Sequence, residues 1–248
     1  SMAVLLSIDL VHYFYALYNI TSRKEEEPVK FVHSEDINIL FSNLSSRFSK
    51  FEISQIVISC SEKDLQRRNR ILILAKKHFK NAPTEIIPPR TGTYTYWLYK
   101  KNLTFEIGKV VYIVRIKQDH ESKNITYNAA AFTLNHGCMV YFKYINSMEN
   151  KTDFINELKE QLKVYNNCYL IYNYAEKDCE KYVKEISYTI GWKYLDFFQT
   201  NDKDGVRGGL IIAKSIIFKS SMPHFYPVRE LADFGVRVKK KTRTLNNN

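Results

Sequence analysis

The chain has 248 residues, 45% hydrophobic and 14% aromatic, with 37 Lys and Arg against 26 Asp and Glu for a formal charge of +11. That is material for a real core in one large domain or two small ones, and eight glycines, six prolines and no low-complexity tract exclude a disordered polypeptide. No run approaches the roughly eighteen apolar residues of a membrane span, and Met2-Ala-Val-Leu-Leu-Ser-Ile8 is too short for a signal peptide. The expectation is therefore an intracellular protein, cytoplasmic or nuclear, without a membrane partner; Ser1, ahead of Met2, reads as an expression scar.

Val4–Tyr18 is almost continuously apolar and predicts two strands joined near Asp9–His12, the first buried on both faces, with Val29–Val32 as a third candidate. Ser34 is a candidate N-cap for a helix whose Ile37, Leu40, Phe41, Leu44 and Phe48 recur at helical intervals. Ile53–Cys60 reads as a strand, and Ser61-Glu-Lys-Asp64 resembles a capping box opening a helix through Phe79. Thr84–Ile87 is a short strand, Pro88-Pro89 punctuates the chain, and Arg90–Lys101 predicts a third helix.

Three strands follow at Lys109–Ile116, Ile125–Leu134 and Cys138–Tyr144, separated by polar turns at Gln118–Lys123 and Asn135–Gly137. Phe154, Leu158, Leu162 and Tyr165 mark a helix, Cys168–Tyr172 a strand, Cys179–Ile190 a helix stopped by Gly191, Trp192–Phe197 a strand and Gly205–Phe218 a last helix. Strands followed by helix, strand, helix, strand, helix thus occur twice, in residues 3–101 and 109–218. The expected fold is α/β with two lobes from a duplicated βββαβαβα unit: residues 1–103, residues 104–220, and an extended strap with a basic tail at 221–248.

Cys60, Cys138, Cys168 and Cys179 share no C-x-x-C spacing and read as buried thiols, and six scattered histidines hold no metal pattern, so no metal site is expected. Five N-x-S/T sequons, beginning at Asn19, Asn43, Asn102, Asn124 and Asn150, carry little weight without a secretory route. The positive charge is uneven. Arg237, Lys239, Lys240, Lys241 and Arg243 form a basic tail, and Arg67, Arg68 and Arg70, continued by Lys76, Lys77 and Lys80, form a basic helix. The helix reads first as a solvated face and second as a nucleic-acid stripe; the tail reads first as an import signal or solvated end.

Two copies of strands followed by α-β-α-β-α are similar to the ground plan of the sugar-kinase, heat-shock-chaperone and actin superfamily, with its ribonuclease-H-like lobes. Within it the chain resembles the nucleotide-binding domain of the seventy-kilodalton heat-shock chaperones. Val4-Leu-Leu-Ser-Ile-Asp9-Leu10 resembles the opening I-D-L-G-T-T strand. Gln55–Cys60, Gln66-Arg-Arg and Thr84–Tyr94 resemble the run from V-I-T-V-P through S-Q-R to N-E-P-T-A-A, and Asp204–Ile217 resembles the closing helix E-A-V-A-Y-G-A-A-V-Q-A-A-I-L. The resemblance implies an actin-like ATPase fold, with outer lobes reduced or absent because the chain is short, and a cleft between the lobes as the place where nucleotides or partners sit.

The departures from that pattern concern chemistry. Val11, His12 and Tyr13 stand where the family has Gly-Thr-Thr, whose backbone and hydroxyls approach phosphate and the metal's water shell. Arg115-Ile-Lys-Gln-Asp119 stands where D-L-G-G-G-T is expected, Asn173–Asp178 where the adenosine loop is expected, and Pro89 or Arg90 where N-E-P-T has Glu. The expectation is a chain that is not an enzyme and takes no cofactor: a pseudo-ATPase acting as a scaffold or adaptor for other proteins, or as a homodimer through an aromatic-rich patch. One alternative is nucleic-acid binding through the basic sets. The other is residual nucleotide binding, in which Asp9 and a loop carrying Gly205, Gly208 and Gly209 form a remodelled pocket; the glycines otherwise serve a tight turn and close packing.

Overall fold

A computed structural model describes residues 2–100, 107–135, 138–165, 168–191, 194–218 and 228–230. The chain divides into two compact units, residues 1–102 with 202–227 and residues 103–201 with 228–248. Among the described residues no helix is long and apolar enough to cross a membrane.

In the first unit, β1 (Met2–Asp9) pairs antiparallel with β2 (Phe14–Asn19), and β2 is flanked by the two-residue strands β3 (Lys24–Glu25) and β4 (Val29–Lys30). Helix α1 (Ile37–Arg47) leads to β5 (Phe51–Ser59), parallel to β1; α2 (Leu65–His78) then leads to β6 (Thr84–Ile87), parallel to β5, and α3 (Pro89–Lys100) closes the set. The sheet order is β3-β2-β1-β5-β6. Strand alternation divides the core. Val4, Leu6, Ile8, Ile56 and Ile58 pack with Leu40, Phe41 and Leu44 of α1 and Ile71 and Ala75 of α2 on one face, while Leu5, Val57 and Ile87 line the other.

The second unit repeats this topology with fuller strands. β7 (Val110–Gln118), β8 (Ile125–Asn135) and β9 (Cys138–Met148) form the meander. α4 (Lys151–Val164), β10 (Tyr169–Tyr174), α5 (Glu180–Ile190) and β11 (Tyr194–Gln199) follow, in the order β11-β10-β7-β8-β9. The match of 5-4-1-2-3 to 3-2-1-4-5 read from the opposite edge is the duplication expected from the sequence. Beyond Gly191, which takes the left-handed φ of +71° required after α5, the short β12 (Val228–Glu230) pairs parallel to β9.

Two expectations are corrected. The cap of α1 is Asp36, not Ser34, because the Asp36 carboxylate accepts from the Asn38 and Ile39 amides, and Asp64 does the same for α2 through the Arg67 amide. Among the described residues the exposed aromatic side chains are Tyr99, Tyr144 and Tyr188, each on a different element. Finally, the expected second lobe, residues 104–220, does not keep its last helix. α6 (Asp204–Ile217) belongs to the first unit, where Val206, Leu210, Ile212 and Ala213 pack on Leu5, Phe14, Ala16, Val57 and Ile87. Of the strap and basic tail only Val228–Glu230 is described; Arg237, Lys239, Lys240, Lys241 and Arg243 lie outside the described residues.

Candidate functional site

β1 is apolar but for Ser7 and its last residue, and period-two alternation turns Leu5, Ser7 and Asp9 toward α6. Asp9 is 1% exposed. Its Oδ1 accepts from the backbone N–H of Val11 at 2.8 Å and of His12 at 3.4 Å, an Asx-type turn that folds the chain back over the carboxylate. Its Oδ2 lies 3.2 Å from His12 Nδ1, and His12 Nε2 lies 3.9 Å from Asp202 Oδ1. The hydrogen bond that His12 donates to Asp9, with the charges of Asp9 and Asp202, raises the His12 pKa above its ordinary value against the opposing effects of burial and of Lys30. Tyr13 completes the turn at φ +61°, its ring against Phe31 and His33. The sequence marked Asp9; its pairing with the histidine three residues on was not singled out, although D-x-x-H after a strand was the available signal.

The three glycines of α6 form no loop. They lie within the helix and serve close approach. A Cβ on Gly208 would stand 1.6 Å from the Gly92 carbonyl oxygen, one on Gly209 2.3 Å from Ser7 Oγ, and one on Gly205 3.1 Å from Asp9 Oδ2. Gly92 reciprocates, since its own Cβ would meet the Gly205 carbonyl oxygen at 2.7 Å. α3 and α6 therefore cross at backbone distance, and the start of α6 rests on the Asp9 carboxylate. At the same end Asp204, buried, accepts from Trp97 Nε1 at 2.9 Å. The fold thus brings Asp9 and Gly205 together and leaves Gly208 and Gly209 further along the helix, against Gly92 and Ser7.

In the second unit the turn after β7 is closed by its own side chains. Asp119 Oδ1 accepts from the amides of Glu121 and Ser122 and from the Ser122 hydroxyl, which lowers its pKa below the usual carboxylate range. Glu176, in the segment where the resemblance places an adenosine loop, accepts from the Gln118 amide at 3.0 Å and lies 3.9 Å from His120 Nε2. Asn173 is tied to the Phe198 carbonyl and the Thr200 hydroxyl. Among the described residues no group of three or more His, Cys, Asp or Glu side chains is placed to hold a metal ion. Cys60, Cys168 and Cys179 are buried, and burial pushes their thiols up, Cys168 to about 11, away from reactive thiolate; Cys138 is half-buried.

The basic helix divides into two parts. Arg67 lies 3.7 Å from Glu62, Arg68 turns in to the Ile86 carbonyl at 3.4 Å, and Arg70 lines a concavity that also holds Glu35, Asp36 and Glu62. Beyond them Lys76 and Lys77 point to solvent, and Lys80 donates to the Ser49 carbonyl at 3.3 Å.

No protein-family model and no curated protein matches the chain. Solved structures do. The chain is similar to the ROK hexokinase of Thermus thermophilus, with TM-score 0.50 and 9% identity over 86% of this chain and 99% of the hexokinase. It is also similar to a Bacteroides thetaiotaomicron protein described as having an actin-like ATPase fold and unknown function (TM-score 0.42, 14% identity, 84% of this chain and 95% of that one). An archaeal actin homologue matches at TM-score 0.40 and 9% identity over 86% of this chain and 99% of its own. At such identities the likeness is one of fold. The chain has the mixed α/β, two-unit architecture of the actin-like ATPase fold.

Proposed function

We propose that this chain is a degenerate relative of the heat-shock-type ATPases that has left nucleotide chemistry and acts as a scaffold or adaptor for other proteins. The observation that carries the reading is the state of Asp9. Both of its oxygens are engaged by the turn that follows it, and the amides of Val11 and His12, at the positions where the family offers backbone to phosphate, are directed into that carboxylate. The glycines of α6 are occupied by Gly92 and Ser7, and the β7–β8 turn is satisfied by its own Asp119 and by Glu176 from the segment after β10. A phosphate arriving at either turn would have to displace these bonds, and no described cluster of carboxylates stands ready to hold magnesium.

Titration calorimetry with magnesium ATP tests the reading. No saturable heat up to about a millimolar, the upper range of ordinary enzyme–substrate affinity, agrees with it. Saturable binding that is lost in Asp9→Ala favours instead a residual nucleotide protein, for which the hexokinase likeness is the support. Affinity capture from native extract, repeated with the His12→Ala variant, identifies the protein partners.

A further inference from the structure

We propose that the joined C-terminal ends of α1 and α2 form a binding surface for the phosphodiester backbone of a nucleic acid, read by charge and not by base sequence. This inference does not depend on the scaffold reading. In sequence, Arg47 and Lys50 are some thirty residues from Lys76, Lys77 and Lys80. The fold brings the two sets side by side: Lys80 Nζ donates to the Ser49 carbonyl, and the rings of Phe48 and Phe79 lie 6.5 Å apart beneath them. Between the segments is a concavity of about 110 Å³ with Phe48, Phe51 and Phe79 in its lining and Glu52 as its only acidic group.

All five cations are exposed. Arg47, Lys76 and Lys77 have no acidic partner among the described residues; Lys50 lies 5.6 Å from the Phe51 ring centroid, and Lys80 holds a backbone carbonyl, so the charge of each is uncompensated. Helix α2 contains five Lys and Arg and not one acid. Cations in the last turn of a helix complement its dipole, which accounts for Arg47, Lys76 and Lys77. It does not account for Lys50 and Lys80, which stand beyond the helix ends.

The chemistry of the patch selects the partner. Four of the five cations are lysines, mobile point charges suited to phosphate, and no carboxylate pattern sets a register, as a folded acidic protein would require. Ile73 is the large apolar side chain exposed on the outer arc of α2 beside them, too little apolar surface to anchor the face in a bilayer. Exposed aromatic rings for base stacking are also lacking here, so contact is with backbone.

The test is fluorescence anisotropy of the full chain with a labelled 20-nucleotide single strand and a 20-base-pair duplex, each measured between 50 and 200 mM KCl. The wild type is expected to bind with a log Kd–log salt slope of magnitude about 4, from roughly 0.7 to 0.9 per neutralised phosphate. The triple variant Lys76→Gln/Lys77→Gln/Lys80→Gln is expected to lose about tenfold or more in affinity at 50 mM KCl and to flatten the slope by 2 to 3. The tail variant Lys239→Gln/Lys240→Gln/Lys241→Gln and the Lys181→Gln/Lys184→Gln variant on α5 of the second unit serve as references. Binding abolished by the tail variant and untouched by the triple one overturns the assignment. So does competition by polyglutamate equal to that by nucleic acid per unit charge, or binding to phosphatidylserine vesicles without binding to either oligonucleotide. Circular dichroism confirms that the exposed lysine variants remain folded.

Discussion

Asp9 and His12 form a buried-to-surface pair: the carboxylate is inaccessible, the imidazole is 46% exposed, and the two meet at 3.2 Å across the turn that ends β1. Because the folded-state pKa of His12 is raised, its stabilising contribution is fully present below the unfolded histidine pKa of about 6.5. It is lost as pH rises through the higher folded value. The stability of wild type over His12→Gln, from urea unfolding, should therefore be larger at pH 5.5 than at pH 8.5. Solvent screening of the half-exposed ring holds the difference to about 1 kcal/mol. An equal difference at both pH values would show that the imidazole is not charged in this pair.

Gly208→Ala should be among the most damaging single changes. The new methyl would lie inside the Gly92 carbonyl, so α3 and α6 must separate, at a cost of about 3 kcal/mol or more. Gly191→Ala, with open space around it but φ +71°, should cost only about 1 kcal/mol of backbone strain. Thermal unfolding of the two variants side by side separates close packing from conformation as the reason for each glycine.

Trp97→Phe removes the indole donor from the buried Asp204 carboxylate. Loss of a charge-assisted bond inside the core should cost about 2 kcal/mol beyond the change in ring size. In a double-mutant cycle with Asp204→Asn, a coupling of about 1 kcal/mol is expected; a cycle that closes to zero would mean that the bond contributes nothing to holding the start of α6.

Lys123 sits at φ +61° in the β7–β8 turn, its amide donating to the Asp119 carbonyl. Glycine relieves the left-handed strain and loses some entropy, so Lys123→Gly should raise stability by about 0.5 kcal/mol. The urea midpoint reports it.

Elements and their order were legible because the signals are local. Ile37, Leu40, Phe41 and Leu44 announce α1, Gly191 ends α5, and the runs around Ile56 and Ile113 declare strands, since helix and strand periodicities bring one face to the core wherever the chain lies. What was not legible was either a choice between near neighbours or a contact of long range. A cap at Ser34 in place of Asp36 is a choice among neighbouring polar residues, decided by which carboxylate reaches the Asn38 and Ile39 amides. The glycines at 205, 208 and 209 read as close packing where a helix starts, and only the nucleotide alternative made them a loop; nothing nearby in sequence shows that Gly92 and Ser7 are what presses against them.

By itself the amino-acid order determined a duplicated α/β chain whose first strand ends on a lone aspartate, because alternation and helical spacing are properties of neighbours along the polymer. Only the tertiary structure decided that α6 packs on the first sheet, that Asp9 is closed over by His12, and that Arg47 and Lys50 meet Lys76, Lys77 and Lys80 at one corner. Those relations join residues three to two hundred positions apart, and their energies come from contact, burial and charge, which exist only once the chain has folded.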